Sequence, residues 1–206
     1  MKRDEKHNLS KQRILQAAMQ EFSAKGYMNA SLNTVCSENG ISKGIIYHYY
    51  KDKDELYLLC VSECFTALTE YLSVTCQNLM GNAEECLNQY FDIRLRFFAD
   101  NPLYWGIFSD ASMNPPAHLL SAIKTARQAF DTLNITILMR LLSASLLRQD
   151  VSLQAIIEWI QEYMDFFNLR YPLKLNETAD LNESILMHEQ KCHRQLSFLL
   201  FGVMEH

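Results

Sequence analysis

Residues 31–50 read SLNTVCSENGISKGIIYHYY, and this stretch decides how the whole chain is read. Ser31 is placed to cap a short helix carrying Leu32, Val35 and Cys36 inward, because its hydroxyl can accept from the unsatisfied N–H groups of a first turn. Gly40 supplies the positive φ needed for a sharp turn, and Ser42 restarts a helix two residues later. Two short helices joined so tightly around a glycine, with Ile41 pointing back into the core, form a helix-turn-helix pattern. The second of them covers about Lys43 to Tyr50, with Ile46 in the core.

Working outward, Ile14, Leu15, Ala18, Met19 and Phe22 recur at helical spacing, which predicts a first helix from about Ser10 to Ala24, stopped at Gly26. Asp52 caps a fourth helix, with Glu55 as its capping-box partner, and the amphipathic pattern continues towards Gln77. Helical patterns then cover Ala83 to Asp100, a short piece from Leu103 to Ser109, and His118 to Leu147, with Asn101-Pro102 and Asn114-Pro115-Pro116 as breaks. Ser152 caps a helix from Leu153 to Arg170, and a last one spans about Asp180 to Val203. No strand pattern or repeat is visible. The expected fold is all-α, about nine helices, with a three-helix head at residues 1–56 and a larger helical body at residues 57–206.

Composition agrees with a packed helical protein: 49% of residues are hydrophobic, 21% charged, and there are only 6 Gly and 4 Pro in 206. Charge is unevenly spread, with nine Lys and Arg against seven Asp and Glu in residues 1–56, and ten against seventeen in residues 57–206. A mildly basic head on an acidic body favours a polyanion at the N-terminal end. No secretory signal and no apolar run long enough to span a bilayer are seen, so a cytoplasmic protein with no membrane partner is expected. The six cysteines stand without CxxC pairs and are read as small buried hydrophobes.

A recognition helix places its N-terminal residues in the major groove, where base edges present distinguishable donors and acceptors. Ser42 and Lys43 sit there. Lys43 can donate to guanine, Gly44 permits close approach of backbone, and Ile45 can meet a thymine methyl. Tyr47 offers a hydroxyl to phosphate, or else packs in the core.

Residues 13–56 closely resemble the DNA-binding head of the TetR family of transcriptional regulators. The parts that carry the likeness are Arg13, Ile14, Ala18, Phe22, Gly26 and Tyr27, then Val35-Cys36, Gly40-Ile41-Ser42-Lys43-Gly44, Ile46-Tyr47, Tyr50, Lys53 and Leu56. Cys36 stands where the family usually has Ala and Tyr50 where it has Phe. His48-Tyr49 reverses the commoner aromatic-then-His order, which leaves open which of the two faces DNA. By its place in the motif Lys53 is a backbone contact, and Ser31, Asn33, His48 and Tyr49 are further candidates.

The resemblance implies a homodimer on a palindromic double-stranded DNA operator, a small-molecule effector bound in the body, and a repressor released when that effector binds. It places dimer contacts in the last two helices, whose apolar residues include Ile156, Ile160, Met164 and Phe167, and Leu196, Leu199, Leu200 and Val203. The other reading of these is intramolecular core. It places a largely apolar ligand pocket in the region of Phe65, Tyr90, Phe97, Phe98, Tyr104, Trp105, Phe108 and Met113, residues that a bundle core also needs. Arg94 interrupts an apolar stretch there and either orients an anionic ligand group or forms a salt bridge at the surface.

An enzyme is not expected, since no catalytic triad, phosphate loop, HExxH or paired-carboxylate motif appears, and neither cofactor nor metal is called for. The alternatives are a DNA-binding dimer with no small-molecule ligand, and a helical metal-binding protein or enzyme using His188 and Cys192 with Cys60 and Cys64.

Overall fold

The computed structural model describes residues 3–143, 150, 152–170 and 181–201. Its elements are α1 (Arg3–Asn29), α2 (Leu32–Asn39), α3 (Lys43–Tyr49), α4 (Lys53–Thr75), α5 (Ala83–Asp100), α6 (Pro102–Met113), α7 (Leu120–Ser143), α8 (Leu153–Arg170) and α9 (Leu181–Phe201). Single 3₁₀ turns follow α4 at Cys76–Asn78 and precede α7 at Ala117–Leu119. The protein is all-α, with no strand among the described residues and no described helix long and apolar enough to cross a membrane.

Two compact units emerge from the packing: residues 1–66 with 103–127, and residues 67–102 with 128–206. In the first, Ile14, Ala18 and Phe22 of α1, Val35 of α2, Ile41 of the turn, Ile46 of α3 and Leu56 of α4 are all buried. This is the apolar set that the helical spacing marks. α6 joins them and is buried on every side from Trp105 to Met113. It approaches α1 so closely that a Cβ on Gly106 would stand 2.4 Å from the Ser23 carbonyl oxygen, so only a hydrogen fits there.

Three boundaries differ from the sequence expectation. α1 starts at Arg3 rather than near Ser10, because residues 3–9 are mostly good helix formers that carry no apolar period to betray them. It also runs on to Asn29 across a kink at Gly26, whose φ of 67° and ψ of 169° only glycine adopts without strain. α6 is longer than Leu103 to Ser109 and runs up to the Asn114-Pro115-Pro116 break: Ser109 and Asp110 stay inside the helix, where the Ser109 hydroxyl donates to the Gly106 carbonyl at 3.1 Å. The segment expected to extend α7 to Leu147 lies outside the described residues.

In the second unit α5 packs along α9. Asn82 and Glu85 form a capping box at the start of α5, each side chain accepting from the other's backbone N–H at 2.9 Å. Arg140 of α7 closes the opposite kind of end: its guanidinium donates to the Cys76 and Gln77 carbonyls, at 2.6 and 3.3 Å, beyond the last turn of α4. All six cysteines are buried and free, and among the described residues no three His, Cys, Asp or Glu side chains are gathered to hold a metal ion.

Candidate nucleic-acid interface

The helix-turn-helix is built by local hydrogen bonds. Ser31 Oγ accepts from Asn33 N–H at 3.2 Å and Ser42 Oγ from Ile45 N–H at 3.3 Å, so both serines cap their helices. Gly40 sits in the left-handed region at φ 61°, and the Ile41 N–H donates to the Cys36 carbonyl at 3.0 Å, closing the turn. Buried Glu21 of α1 fixes the start of α2 from below: its carboxylate accepts from Ser31 N–H at 2.9 Å and pairs with Lys25 at 2.9 Å. Sequence reasoning missed Glu21, whose partner Ser31 is ten residues away.

On α3 one side is core and the other is open. Ile46 is 1% exposed, whereas Ile45 is 44% and Tyr47 57% exposed. Ser42, Lys43, Gly44 and His48 are exposed as well, and a Cβ on Gly44 would meet nothing within 4 Å. Tyr47 is therefore not a core residue. Asn33 is exposed at the start of α2. His48 is exposed, whereas Tyr49 is half-buried, its ring edge-on to His7 of α1 at 4.8 Å. Two small residues, one cation, one apolar tip and two ring donors thus share a surface that a groove of base edges can receive.

Lys53 is not an outstretched surface cation. Its ammonium lies 4.5 Å from the centre of the Tyr27 ring, and burial lowers its affinity for the proton. The same Tyr27 donates its hydroxyl to Asp54 and lies 3.3 Å from the His118 ring nitrogen, while His118 pairs with Asp54 at 3.1 Å. The Tyr27 hydrogen bond and the His118 contact hold the Asp54 carboxyl below its ordinary range, despite partial burial.

Beneath this cluster, Asp110 of α6 ties the head together. One carboxylate oxygen accepts from the Tyr27 N–H at 2.9 Å and from the Tyr57 hydroxyl at 2.7 Å, and the other lies where a Cβ on Gly26 would collide at 2.6 Å. Burial raises the Asp110 carboxyl above its usual range, against the pull of those donors and of Lys53. The signal in the sequence was a lone acid inside the otherwise uncharged run Trp105 to Met113, which helical periodicity alone does not interpret.

The residues expected to line a pocket fall in both units. Phe65, Tyr104, Trp105, Phe108 and Met113 belong to the first, where the Phe65 and Phe108 rings lie 5.7 Å apart. Tyr90, Arg94, Phe97 and Phe98 belong to the second and are buried. Arg94 is not at the surface: it pairs with Glu189 of α9 at 3.0 Å, with both side chains under 10% exposed. Its guanidinium also donates to the Tyr90 hydroxyl at 3.4 Å, and that hydroxyl donates to Asn134 at 2.6 Å. His188 stands 3.2 Å from the same Glu189 oxygen, and the other oxygen, Oε2, is buried with no hydrogen-bond partner among the described residues.

On the last two helices, Ile156, Ile160, Phe167, Leu196, Leu199 and Leu200, expected at a dimer contact, are buried within the single chain; Met164 is half-buried, and Val203 lies outside the described residues. Their spacing marked the inward stripe of each helix. Among the described residues, the large apolar side chains that α8 and α9 leave exposed are Trp159, Phe166, Leu186, Met187 and Phe198.

Residues 14–60 match the family described as bacterial regulatory proteins, tetR family. The chain is 36% identical over 80 residues to the HTH-type transcriptional regulator YerO of Bacillus subtilis, covering 39% of this chain and 25% of that one. It is 32% identical over 62 residues to IcaR of Staphylococcus epidermidis, the HTH-type negative transcriptional regulator of the biofilm operon icaADBC, covering 30% and 34%. Alignments to the curated relatives thus span between a quarter and about half of their length. Among solved structures, the fatty acid degradation regulator FadR of Bacillus halodurans superposes with a TM-score of 0.65 at 17% identity, over 93% of this chain and 98% of that one. FadR of Bacillus subtilis in complex with stearoyl-CoA superposes at 0.66 with 14% identity, over the same shares.

Proposed function

We propose that this chain is a helix-turn-helix transcriptional regulator of the TetR family rather than an enzyme, a homodimeric repressor that leaves a palindromic operator when a small, largely apolar effector binds residues 57–206. The observation that carries the DNA half of the reading is α3, buried along Ile46 and open along Lys43, Gly44, Ile45, Tyr47 and His48. In this reading Lys43, Gly44 and Ile45 meet base edges, and Ser31, Asn33, Ser42, Tyr47, His48 and Lys53 meet or border the backbone. Of the reversed pair, His48 faces DNA and Tyr49 supports it. Repression is supported by the likeness to IcaR, a negative regulator.

A single head reads few base pairs, so two copies are needed on a palindrome. Trp159 and Phe166, two turns apart on α8, and Met187 and Phe198 on α9 are the exposed apolar side chains that a second copy would cover. Effector binding is supported by the polar line running from half-buried Asn134 through buried Tyr90 and Arg94 to Glu189, whose spare oxygen offers an acceptor inside an apolar bundle, and by the acyl-CoA complex of a structural neighbour.

Operator selection from random duplex DNA at physiological salt, against non-specific competitor, tests the reading. A palindromic consensus is expected. On that consensus Lys43→Ala should cost about 1 to 3 kcal/mol at one base pair and relax preference there, whereas equal losses on operator and random DNA would remove its base-reading role. Titrating the bound complex with acyl-CoAs of graded chain length should release DNA, and no release by any of them would exclude that effector class.

A further inference from the structure

The positive charge of the head does not reside in its helix-turn-helix. Residues 1–13 hold five Lys and Arg against two Asp and Glu, a net +3, while residues 14–56 hold four against five, a net −1. A helix-turn-helix with one Lys against one Glu over residues 31–50 still has to approach a polyanion, and neutralisation of phosphates by Lys and Arg supplies the sequence-independent part of that attraction. The charge must therefore come from the segment before Ile14.

The structure shows where that segment goes. It is helical from Arg3, and its side chains meet α3: the His7 ring is 4.8 Å from the Tyr49 ring, and Lys11 Nζ lies 5.9 Å from the same ring centre. His7 and Lys11 are four residues apart, hence on one face of α1, and both are exposed. Tyr49 is itself four residues from Ile45, on the flank of α3 beside its open face rather than on the buried Ile46 side. A cation resting on that flank stands next to whatever borders the groove that α3 enters.

We propose that the basic N-terminal turns of α1 form a second DNA-contacting element, in which Lys11 and His7, seated on the Tyr49 ring, face the phosphates flanking the half-site. This rests on the assignment of the open face of α3 to the major groove. The element reads no bases; it supplies affinity common to all sequences, and Tyr49 is a positioning residue that holds it beside the recognition helix.

Salt-dependent binding of the full chain to operator and to random duplex tests this. Lys11→Gln should weaken both DNAs by the same several-fold factor and lower the slope of log affinity against log salt by about 0.9, the amount for one phosphate contact. The quadruple variant Lys2→Gln, Lys6→Gln, Lys11→Gln with Arg3→Gln should lower the slope further. Tyr49→Phe, which keeps the ring, should match the parent, and Tyr49→Ala should reproduce the slope change of Lys11→Gln. An unchanged slope in both Lys11→Gln and the quadruple variant, or a loss confined to operator DNA, would overturn the proposal. Lys43→Ala separates the two readings: if it leaves operator preference intact the groove assignment fails, whereas the slopes judge the N-terminal turns on their own.

Discussion

The two compact units bury charge by opposite means. Asp110 in the first is surrounded by neutral donors, the Tyr27 N–H and the Tyr57 hydroxyl, and its carboxyl is raised because burial outweighs them. Glu189 in the second is more deeply buried, yet its carboxyl is lowered: burial pushes it up, and Arg94 and His188 pull it down further. Neutral donors fix where a carboxylate sits and leave its charge expensive, whereas a cation settles the charge. The first arrangement suits a clasp between the kink in α1 and helix α6. The second suits a bundle interior in which α5 and α9 must keep one register.

Breaking the ion pair should have the largest effect. Glu189→Ala leaves Arg94 charged in the core and should cost about 3 to 5 kcal/mol in urea denaturation, while the double variant Arg94→Met with Glu189→Leu should recover most of it. A single-variant cost as small as a surface substitution would show that the pair is already relaxed by water. Next comes the clasp: Asp110→Ala strands the Tyr27 N–H and the Tyr57 hydroxyl and should cost about 1 to 3 kcal/mol. If operator affinity falls no more than the folded fraction does, the clasp holds the fold without posing the head. Loss of either helix cap, Ser31→Ala or Ser42→Ala, should cost about 1 kcal/mol, visible as a shift in the denaturation midpoint.

The smallest effect is a change in the shape of the acid limb, and its sign separates the units. Because the folded pKa of Glu189 is depressed, its stabilisation is present above the ordinary carboxylate range and is lost as pH falls through the folded value. The folded pKa of Asp110 is raised, so the folded state holds that proton more tightly and gains stability as pH falls through the raised value. The deficit of Glu189→Gln relative to the parent should therefore shrink towards acid, and that of Asp110→Asn should grow. Parallel curves for both variants would remove the contrast.

What the sequence disclosed follows the range of the forces involved. The helix-turn-helix was legible because its caps, its glycine turn and its apolar period act over three or four residues, as Ser31, Gly40 and Ser42 illustrate. The start of α1 was hidden because residues 3–9 carry propensity without amphipathic pattern. Tyr27 and Asp110 are 83 residues apart and Arg94 and Glu189 are 95, so neither pairing had a local signature. On α8 and α9 periodicity identified the inward stripe through Ile156, Ile160 and Leu200, but an outward face available to a second copy is defined by what the chain leaves uncovered, as at Trp159 and Phe198.

The buried thiols give the molecule a set of internal clocks. Cys36, Cys60 and Cys64 lie in the first unit and Cys76, Cys86 and Cys192 in the second, all shielded from solvent. A thiol reagent can reach each only when its surroundings open, so mass-resolved alkylation of the unaltered protein would time the opening of each unit separately. Adding operator DNA or an effector would then reveal which unit each one quiets, residue by residue, without a single introduced label.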